Sequence, residues 1–299
     1  MNADAELIDW VRKTAAAQDP RVGPNTAVHP LHIPGVATRP KRPESSQVFV
    51  CGSTVVKIHE KGTRRAELAA RLSAIESVEL ERVWLLPLEP RLLLAPGERL
   101  GTMWPRATLV STVENPPWAD AGALLAKLHS ADPKRLPKLP VHGGMARFER
   151  AVKAAKAVSS EPWLAKLGKE LYSALRKPRA NRPVHGSFHL GQLGHPLLNR
   201  AWRLLDPDDL GTGDPVWDFA RPSALHKVGR LDDAHWESFV GAYRQARGPA
   251  IPSEGNVDAA LETVTRASIF DTAVYALLTV GAHSKETTDR YLDALRVYQ

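Results

Sequence analysis

The secondary-structure pattern of this 299-residue chain changes at the dipeptide Trp104-Pro105. Before it, short β-branched segments are divided by Gly, Pro and Ser, which is typical of strands. After it, apolar residues recur three and four positions apart over long stretches, which is typical of amphipathic helices. We therefore expect an α+β chain with a small β-rich N-terminal lobe, residues 1–105, and a larger helical C-terminal lobe, residues 106–299.

The individual elements predicted from the pattern follow this division. Strands are expected near residues 29–35, 47–50, 54–59, 83–86, 91–95 and 100–103. Helices are expected over residues 3–17, 63–75, 119–130, 146–158, 162–176 and 232–247, with more helix over 257–298. Thr63 is the predicted N-cap of the second helix. Loops rich in Pro and Gly are expected at 133–144 and 177–183.

The charge balance bounds the kind of partner. Lys and Arg number 40 against 33 Asp and Glu, a formal net charge of +7. A basic surface favours an anionic partner such as a nucleotide. Nucleic acid is not expected as the partner, because the sequence shows neither zinc-finger spacing nor a basic run interleaved with aromatic residues.

Cysteine usage and hydropathy bear on the compartment. The single Cys51 excludes an intramolecular disulfide and fits a reducing compartment, so a cytoplasmic protein is expected. The N-terminus does not read as a secretory signal. The longest apolar region near the C-terminus, residues 268–282, is interrupted by Asp271 and is too short to cross a bilayer. We therefore expect a soluble protein without a membrane segment.

One stretch of the C-terminal lobe concentrates the residues that carry chemistry. It opens with His185-Gly186-Ser187-Phe188-His189-Leu190-Gly191-Gln192 and continues through a strand-like segment to Asp206. An acidic turn follows, with Asp208, Asp209 and Asp214 among glycines. These segments resemble the catalytic and metal-binding motifs of the aminoglycoside phosphotransferase and choline kinase-like family, whose first motif usually reads H-G-D-x-x-x-x-N. The resemblance implies a bilobal protein-kinase-like fold and phosphoryl transfer from ATP with Mg²⁺.

The resemblance also implies roles for individual residues. Lys57, in the strand TVVKIH, would hold the ATP phosphates, and Glu67 in the following helix would orient Lys57. Met103 and Trp104 would belong to the hinge beside the adenine. A strand Lys can equally be a solvated edge residue, and this reading stays open for Lys57.

The metal site implied by the resemblance has two ligands. Asp206 corresponds to the main Mg²⁺ ligand of the family, and Gln192 stands where the family has Asn. The Gln side chain can offer a carbonyl oxygen, but its extra methylene displaces that oxygen. Asp214 and Asp218 are expected to be structural, with Asp214 capping a helix before Pro215. His185 is expected to be buried beneath the loop.

The main departure from the family pattern is Ser187, which occupies the position of the catalytic Asp. A Ser hydroxyl is not a useful base near neutral pH, and loss of a general base costs roughly a hundredfold or more. His189 or Asp208 could orient the acceptor hydroxyl instead, although a loop His more often packs or caps. A second departure is the phosphate-covering turn, expected at 35–47, which lacks the usual glycines. Its Arg39, Lys41 and Arg42 could contact phosphate or simply be solvated.

Two functions remain after these observations. The balance favours an enzyme, an ATP- and Mg²⁺-dependent phosphotransferase acting on a hydroxyl group of a small molecule (antibiotic, sugar or amino alcohol) or of a Ser or Thr in a biosynthetic peptide. The alternative is a pseudokinase that binds a nucleotide, peptide or protein partner without transferring phosphate. The acceptor, the base, the choice between ATP and GTP and the oligomeric state are left open by the sequence.

Overall fold

The computed structural model describes residues 3–31, 44–110, 114–176, 180–279 and 284–297. The predicted phosphate-covering turn, with Arg39, Lys41 and Arg42, lies mostly outside these residues. Within them the chain divides as expected into an N-terminal part built on a β-sheet and a C-terminal part built mainly of helices.

Five antiparallel strands form the N-terminal sheet in the order β1-β2-β3-β5-β4. They are β1 (His29–Pro30), β2 (Gln47–Cys51), β3 (Thr54–Ile58), β4 (Leu93–Ala95) and β5 (Arg99–Pro105). Helix α1 (Ala3–Ala16) packs Leu7, Val11 and Ala15 against one face of this sheet. The other face is left for the cleft between the lobes.

Two local predictions in this lobe are wrong. Thr63 does not cap α2 (Arg65–Ile75), because its hydroxyl donates instead to the Glu60 carbonyl at 2.6 Å and the cap position is Arg64. The segment near 83–86 is not a strand, since only Trp84 forms an isolated bridge, with Leu204. Trp84 is fully buried and belongs to the core shared with the C-terminal lobe, so its apolar neighbours reflect burial rather than a strand.

Seven helices form the C-terminal lobe over the part of the chain that is described. They are α3 (Trp118–Ser130), α4 (Gly143–Ala154), α5 (Trp163–Leu175), α6 (Ala220–Lys227), α7 (Asp233–Gln245), α8 (Asp258–Leu278) and α9 (Lys285–Arg296). The helical region predicted over 257–298 consists of two helices, α8 and α9. Gly122 lets α3 approach α7 closely, because a Cβ there would lie 2.2 Å from the Phe239 carbonyl oxygen.

Short strands carry the motif region between α5 and α6, together with β6, which lies before α3. They are β6 (Ala107–Leu109), β7 (Arg182–Val184), β8 (Leu193–Pro196), β9 (Arg203–Leu204) and β10 (Gly211–Gly213). β6, β8 and β9 form one sheet, and β7 pairs with β10. These pairings bring the segment after β7 and the segment after β9 to the same edge of the cleft.

The main hydrophobic core joins the two lobes. Leu72 and Ile75 of α2 and Trp104 of β5 pack in the same buried cluster as Leu125 of α3 and Phe239 of α7. Because this apolar packing is continuous, the cleft between the lobes has a fixed floor. Among the described residues, none of the helices combines the length and apolar character needed to cross a membrane.

Candidate active site

Lys57 is placed in the cleft by the alternation of β3. Val56 and Ile58 are fully buried in the N-terminal core, so Lys57 between them projects from the opposite face of the sheet. Its ammonium pairs with the Asp206 carboxylate and lies 2.8 Å from Asp208 Oδ2. Burial lowers the pKa of Lys57, but the two carboxylates outweigh burial and raise it above its usual value. The side chain is only 12% exposed, so the solvated-edge interpretation does not apply to it.

Glu67 does not orient Lys57 in this structure. It pairs with Arg64 at 2.7 Å and lies 3.7 Å from Arg71. Arg64 is the N-cap residue of α2, and Arg71 belongs to the same helix. The link from α2 to the motif region is made by Arg71, whose buried guanidinium donates to the Leu210 carbonyl at 2.8 Å. The position that the resemblance gives to Glu67 is therefore filled by the Asp206 and Asp208 carboxylates.

His59 is a site residue that the sequence interpretation missed. Its Nδ1 lies 3.1 Å from Asp208 Oδ2 and its Nε2 lies 3.0 Å from the Thr102 hydroxyl, which accepts from Trp104 Nε1 at 2.9 Å. With the His59 proton on Nδ1, every donor in this series of hydrogen bonds, from Trp104 to Asp208, has an acceptor. The signal in the sequence was the two-residue spacing from Lys57, which puts both side chains on the same side of an extended strand.

An apolar cavity of about 590 Å³ lies next to Lys57. Its walls include Val48, Val50, Val55, Leu85, Trp104 and Leu205, and its polar end holds Lys57, Gln192 and Asp206. The backbone from Pro105 to Leu109 forms a further wall. A cavity of this size and lining suits a flat heterocycle with a charged tail.

Met103 is not part of that cavity. Its side chain is buried in the N-terminal core with Val56, and its carbonyl oxygen accepts from the Leu88 N–H at 2.8 Å. The reason is the alternation of β5, which turns Met103 and Trp104 to opposite faces of the sheet. Of the two hinge residues that were predicted, only Trp104 lines the cavity.

Gln192 and Asp206 meet at the polar end of the cavity. The side-chain amide nitrogen of Gln192 donates to Asp206 Oδ2 at 3.2 Å, and the Leu205 N–H donates to the backbone carbonyl of Gln192 at 2.9 Å. Asp206 has a φ of +60°, a left-handed conformation that is uncommon outside glycine. Such strain at a residue of the predicted metal site is typical of functional positions.

The residues around Asp206 fit a divalent cation. Asp208 Oδ1 is buried and has no hydrogen-bond partner among the described residues, although Oδ2 of the same carboxylate contacts Lys57 and His59. No cluster of three His, Cys, Asp or Glu side chains able to hold a metal occurs over the described ranges. A Mg²⁺ ion needs no such cluster, because it takes one or two carboxylates and completes its shell with water and phosphate oxygens. Asp208, predicted as a possible catalytic group, thus contacts Lys57 and His59 beside the predicted metal ligand Asp206.

A buried network of hydrogen bonds holds in place the loop of residues 185–192, which matches the family's catalytic motif and is called here the catalytic loop. Asp218 accepts from the backbone N–H groups of His185 and Gly186 at 2.6 and 2.9 Å, and it contacts His129 Nε2 at 3.0 Å. Burial raises the pKa of Asp218, but His129 and the backbone donors lower it below its usual value. His185 is fully buried and contacts the Leu205 carbonyl at 2.9 Å. These contacts agree with structural roles for His185 and Asp218, and Asp214 caps the turn at Pro215 by accepting from the Val216 N–H.

Ser187 opens onto a second pocket, on the side of the catalytic loop that faces the helices. This pocket has a volume of about 350 Å³ and is lined by residues of the catalytic loop, α4, α6 and α8. The Ser187 hydroxyl lies 3.4 Å from His185 Nδ1 and can exchange a hydrogen bond with a ligand. A hydroxyl at this position orients a partner but does not take its proton.

His189 is a poor candidate for a substitute base. Burial, the largest cause, and the nearby Arg221, His185 and Arg147 together lower its pKa to about 3. An imidazole with this pKa is too weakly basic to draw a proton from an alcohol near neutral pH. His189 therefore belongs with the packing residues of the loop.

Asp209 and Arg147 form an ion pair beside the loop that the sequence did not indicate. The same Arg147 nitrogen donates to the Gly186 carbonyl at 3.3 Å. Gly143 makes room for this pair, since a Cβ at that position would fall 1.7 Å from Asp209 Oδ1. The acidic run was visible in the sequence, but only the fold identifies the cation that pairs with each of its members.

Comparison with known proteins decides the family. The model of the Phosphotransferase enzyme family matches residues 50–256, which is more than half of the chain. The chain belongs to the phosphotransferase enzyme family. The matched residues include Lys57, the catalytic loop and Asp206. A search of curated proteins gave no match.

Solved structures share the fold of this phosphotransferase-family chain at low identity. A choline/ethanolamine kinase family protein from Mesorhizobium loti is 16% identical, with 97% of this chain and 99% of that chain covered and a TM-score of 0.59. The choline kinase LicA from Streptococcus pneumoniae is 14% identical, with 96% of each chain covered and a TM-score of 0.59. The macrolide 2'-phosphotransferase MphH from Brachybacterium faecium is 16% identical, with 96% and 98% covered and a TM-score of 0.54. These matches confirm the predicted protein-kinase-like fold.

Family membership also confirms the predicted enzyme class, a phosphotransferase with a hydroxyl acceptor. The roles of single residues rest on the geometry alone. Lys57, Gln192, Asp206 and Trp104 converge at the apolar cavity, and Ser187 lies at the second pocket. Glu67 and Met103 are directed elsewhere.

Proposed function

We propose that this chain transfers the terminal phosphate of a nucleoside triphosphate to a hydroxyl group of a small molecule in the presence of Mg²⁺. The observation that carries the proposal is the meeting of Lys57, Asp206 and Gln192 at the polar end of the apolar cavity, with Asp208 held against Lys57. This end combines a cation for phosphates with oxygen ligands for a metal, which are the two requirements of phosphoryl transfer.

The nucleotide base would occupy the apolar part of the cavity. Aliphatic side chains of β2 and β3 and the Trp104 indole supply flat contacts for a purine, and the backbone of 105–109 supplies polar groups. The spectinomycin phosphotransferase with this fold was solved with ADP, and an aminoglycoside 2'-phosphotransferase with this fold was solved with GDP. Both precedents support a purine nucleotide, and the resemblance seen in the sequence favours ATP.

The chain's own residues would act on the phosphates and the metal in distinct ways. The Lys57 ammonium would bind phosphate oxygens, and Asp206, Asp208 and the Gln192 carbonyl would hold Mg²⁺. The side-chain N–H of Gln192 donates a hydrogen bond to Asp206. A half-turn of the side-chain amide would therefore be needed to present its oxygen to the metal. When bound, Mg²⁺ neutralises the charge on the phosphate oxygens.

The acceptor hydroxyl would be oriented rather than deprotonated by the loop. In the reaction, the acceptor oxygen bonds to the terminal phosphorus, the bond from that phosphorus to the bridging oxygen breaks, and the acceptor proton leaves to solvent. Because the transition state of phosphoryl transfer is loose, positioning contributes more than a strong base. The Ser187 hydroxyl and its His185 contact would position the acceptor, at a cost in rate relative to an Asp.

The acceptor would lie in the pocket on the Ser187 side of the loop. The neighbours in the fold act, by their names, on choline, ethanolamine, macrolides and aminoglycosides. An antibiotic, a sugar, an amino alcohol and a peptide Ser or Thr all carry the required hydroxyl.

A second function is favoured by a specific observation. Ser187 lacks basicity and the pKa of His189, lowered to about 3, removes the nearest substitute. A protein that binds nucleotide and Mg²⁺ without transferring phosphate would show the same cavity. Turnover, rather than binding, separates the two functions.

The test is ADP formation from ATP, with water or added hydroxyl compounds as acceptor, for the wild type and three variants. Phosphoryl transfer predicts slow Mg²⁺-dependent ADP formation that falls at least about a hundredfold in Asp206→Asn. Asn tolerates the left-handed backbone of residue 206, so this loss would not reflect misfolding. Ser187→Asp should raise turnover, with Ser187→Asn as the control for size. No ADP formation in the wild type combined with clear formation in Ser187→Asp would favour the non-transferring binder.

A further inference from the structure

The pocket beside Ser187 is lined by more cationic than anionic side chains. Two guanidinium groups, of Arg147 on α4 and Arg221 on α6, line it together with one carboxylate, of Asp271 on α8. The aromatic side chains of Phe148 and Trp217 close it from the side. Positive charge in a pocket of about 350 Å³ selects among small ligands by their charge.

Arg147 is a fixed donor with unused capacity. One of its terminal nitrogens is held by Asp209 and by the Gly186 carbonyl. Its other terminal nitrogen and its Nε donate no hydrogen bond within the described residues. Because a guanidinium carries five N–H donors, the anchored side chain still presents donors beside the loop.

Arg221 is the second cation of the pocket. It forms no ion pair and donates no side-chain hydrogen bond to the described part of the chain, yet it lines the same pocket as Ser187. The residue is exposed, so its guanidinium is accessible to a ligand. A guanidinium placed in a cavity and lacking a hydrogen-bond partner is a ready site for a carboxylate or phosphate group, which it can bind through two parallel bonds.

A cationic acceptor fits this pocket poorly. Its charge would lie in one pocket with the guanidinium groups of Arg221 and of Arg147, of which, among the described residues, only Arg147 is paired with a carboxylate (Asp209), and like charges in one pocket oppose binding. Lys57 and the nucleotide cavity lie on the other side of the loop, so neither Arg147 nor Arg221 is needed to bind the nucleotide. Their charges are available for the acceptor.

We propose that the acceptor of this phosphotransferase is a small hydroxyl compound bearing an anionic group, which Arg221 binds with support from Arg147. The inference rests on the proposed function, since it assigns the substrate class of the same site. The anionic group is a carboxylate or a phosphate, and the pocket volume limits the compound to a small size. Arg221 acts here as a specificity-determining residue.

The test uses four probes with one carbon skeleton: glycerol, glycerate, glycerol 3-phosphate and serinol, which are neutral, anionic, anionic and cationic. Their binding is measured by calorimetry or ligand-observed NMR, without turnover, in the wild type and in Arg221→Gln. We expect at least one anion to bind more tightly than glycerol and serinol, and to lose roughly ten- to a hundredfold in affinity in Arg221→Gln. Which anion binds more tightly distinguishes a carboxylate from a phosphate ligand.

Arg150→Gln is the matched control. Arg150 is exposed on the same helix as Arg147, does not line the pocket and makes no hydrogen bond or ion pair with described residues, so its substitution removes an equal charge without affecting the site. Three results would each overturn the inference. They are binding of both anions no tighter than that of glycerol up to millimolar concentration, tighter binding of serinol, and a preference for anions that survives in Arg221→Gln. ATP binding measured on the same samples separates this failure from failure of the proposed function, because Arg221 is remote from the nucleotide cavity.

Discussion

At the scale of single residues, the site is organised around one cation and two carboxylates. Lys57 has a side chain 12% exposed, and Asp206 and Asp208 hold its ammonium from the other lobe. Burial alone would raise the pKa of Asp208, but Lys57 and His59 hold that pKa well below its usual range. The three charges therefore depend on one another, and a nucleotide must compete with the carboxylates for Lys57.

Replacing Lys57 by Met should destabilise the protein. The substitution leaves two neighbouring carboxylates without their cation, which we expect to lower the free energy of unfolding by about 1 to 3 kcal/mol, less than for a fully buried pair because Asp206 is partly exposed. Urea denaturation measures the loss. In Lys57→Met/Asp208→Asn the loss should shrink, since one of the stranded charges is gone; an equal or larger loss in the double variant would contradict the charge argument.

Asp218 offers a pH-dependent test at the same scale. Asp218→Asn keeps the shape but loses the charge that accepts from His185, Gly186 and His129, so about 2 to 4 kcal/mol of stability should be lost at neutral pH. The folded pKa of Asp218 lies below its usual value of 3.8. Its contribution is therefore complete above that value and disappears as the pH falls through the folded pKa. Unfolding of both proteins from pH 7 downward should show a gap that narrows only below about 4; a gap that is constant with pH would argue against an ionised Asp218.

At the scale of elements, the helices were predicted well and the strands less well. The amphipathic period gave α3, α5 and α7 to within about two residues, because each buries one face in a local core. The segment around Trp84 was mistaken for a strand, since a short apolar run looks the same in a strand and in a buried loop. Thr63 was mistaken for a cap because the competing hydrogen bond to Glu60 depends on the geometry of the preceding turn.

The loop between β7 and β8 gives a prediction about backbone geometry. Gly186 has a φ of +80°, and a Cβ there would lie 2.4 Å from the Asp209 carbonyl oxygen. Gly62 has a φ of +84° with nothing within 4 Å of its Cβ position, so it isolates the conformational cost from the steric one. We expect Gly62→Ala to cost about 1 kcal/mol and Gly186→Ala about 3 kcal/mol or more, with loss of turnover. Thermal or urea unfolding checks the order; equal losses would mean that Asp209 moves aside freely.

At the scale of the whole molecule, two pockets lie on opposite sides of one loop. The nucleotide cavity is bounded by the N-terminal sheet, and the Ser187 pocket by the helices. The β-rich and helical parts of the chain followed from the sequence pattern, and the family resemblance assigned Lys57 to the phosphates and Asp206 to the metal. The directions of Glu67 and Met103 did not follow from either, because they depend on how α2 and β5 pack rather than on the spacing of residues. Arg147, Arg221 and His59 were missed for the same reason, as no motif marks them.

Calorimetric titration with ATP, with and without Mg²⁺, tests most directly whether the cavity is a nucleotide and metal site. We predict saturable binding to the wild type that strengthens with Mg²⁺, and no gain from Mg²⁺ in Asp206→Asn. Absence of binding up to millimolar ATP, or binding that ignores Mg²⁺ in the wild type, would contradict the assignment of Lys57, Asp206 and Gln192.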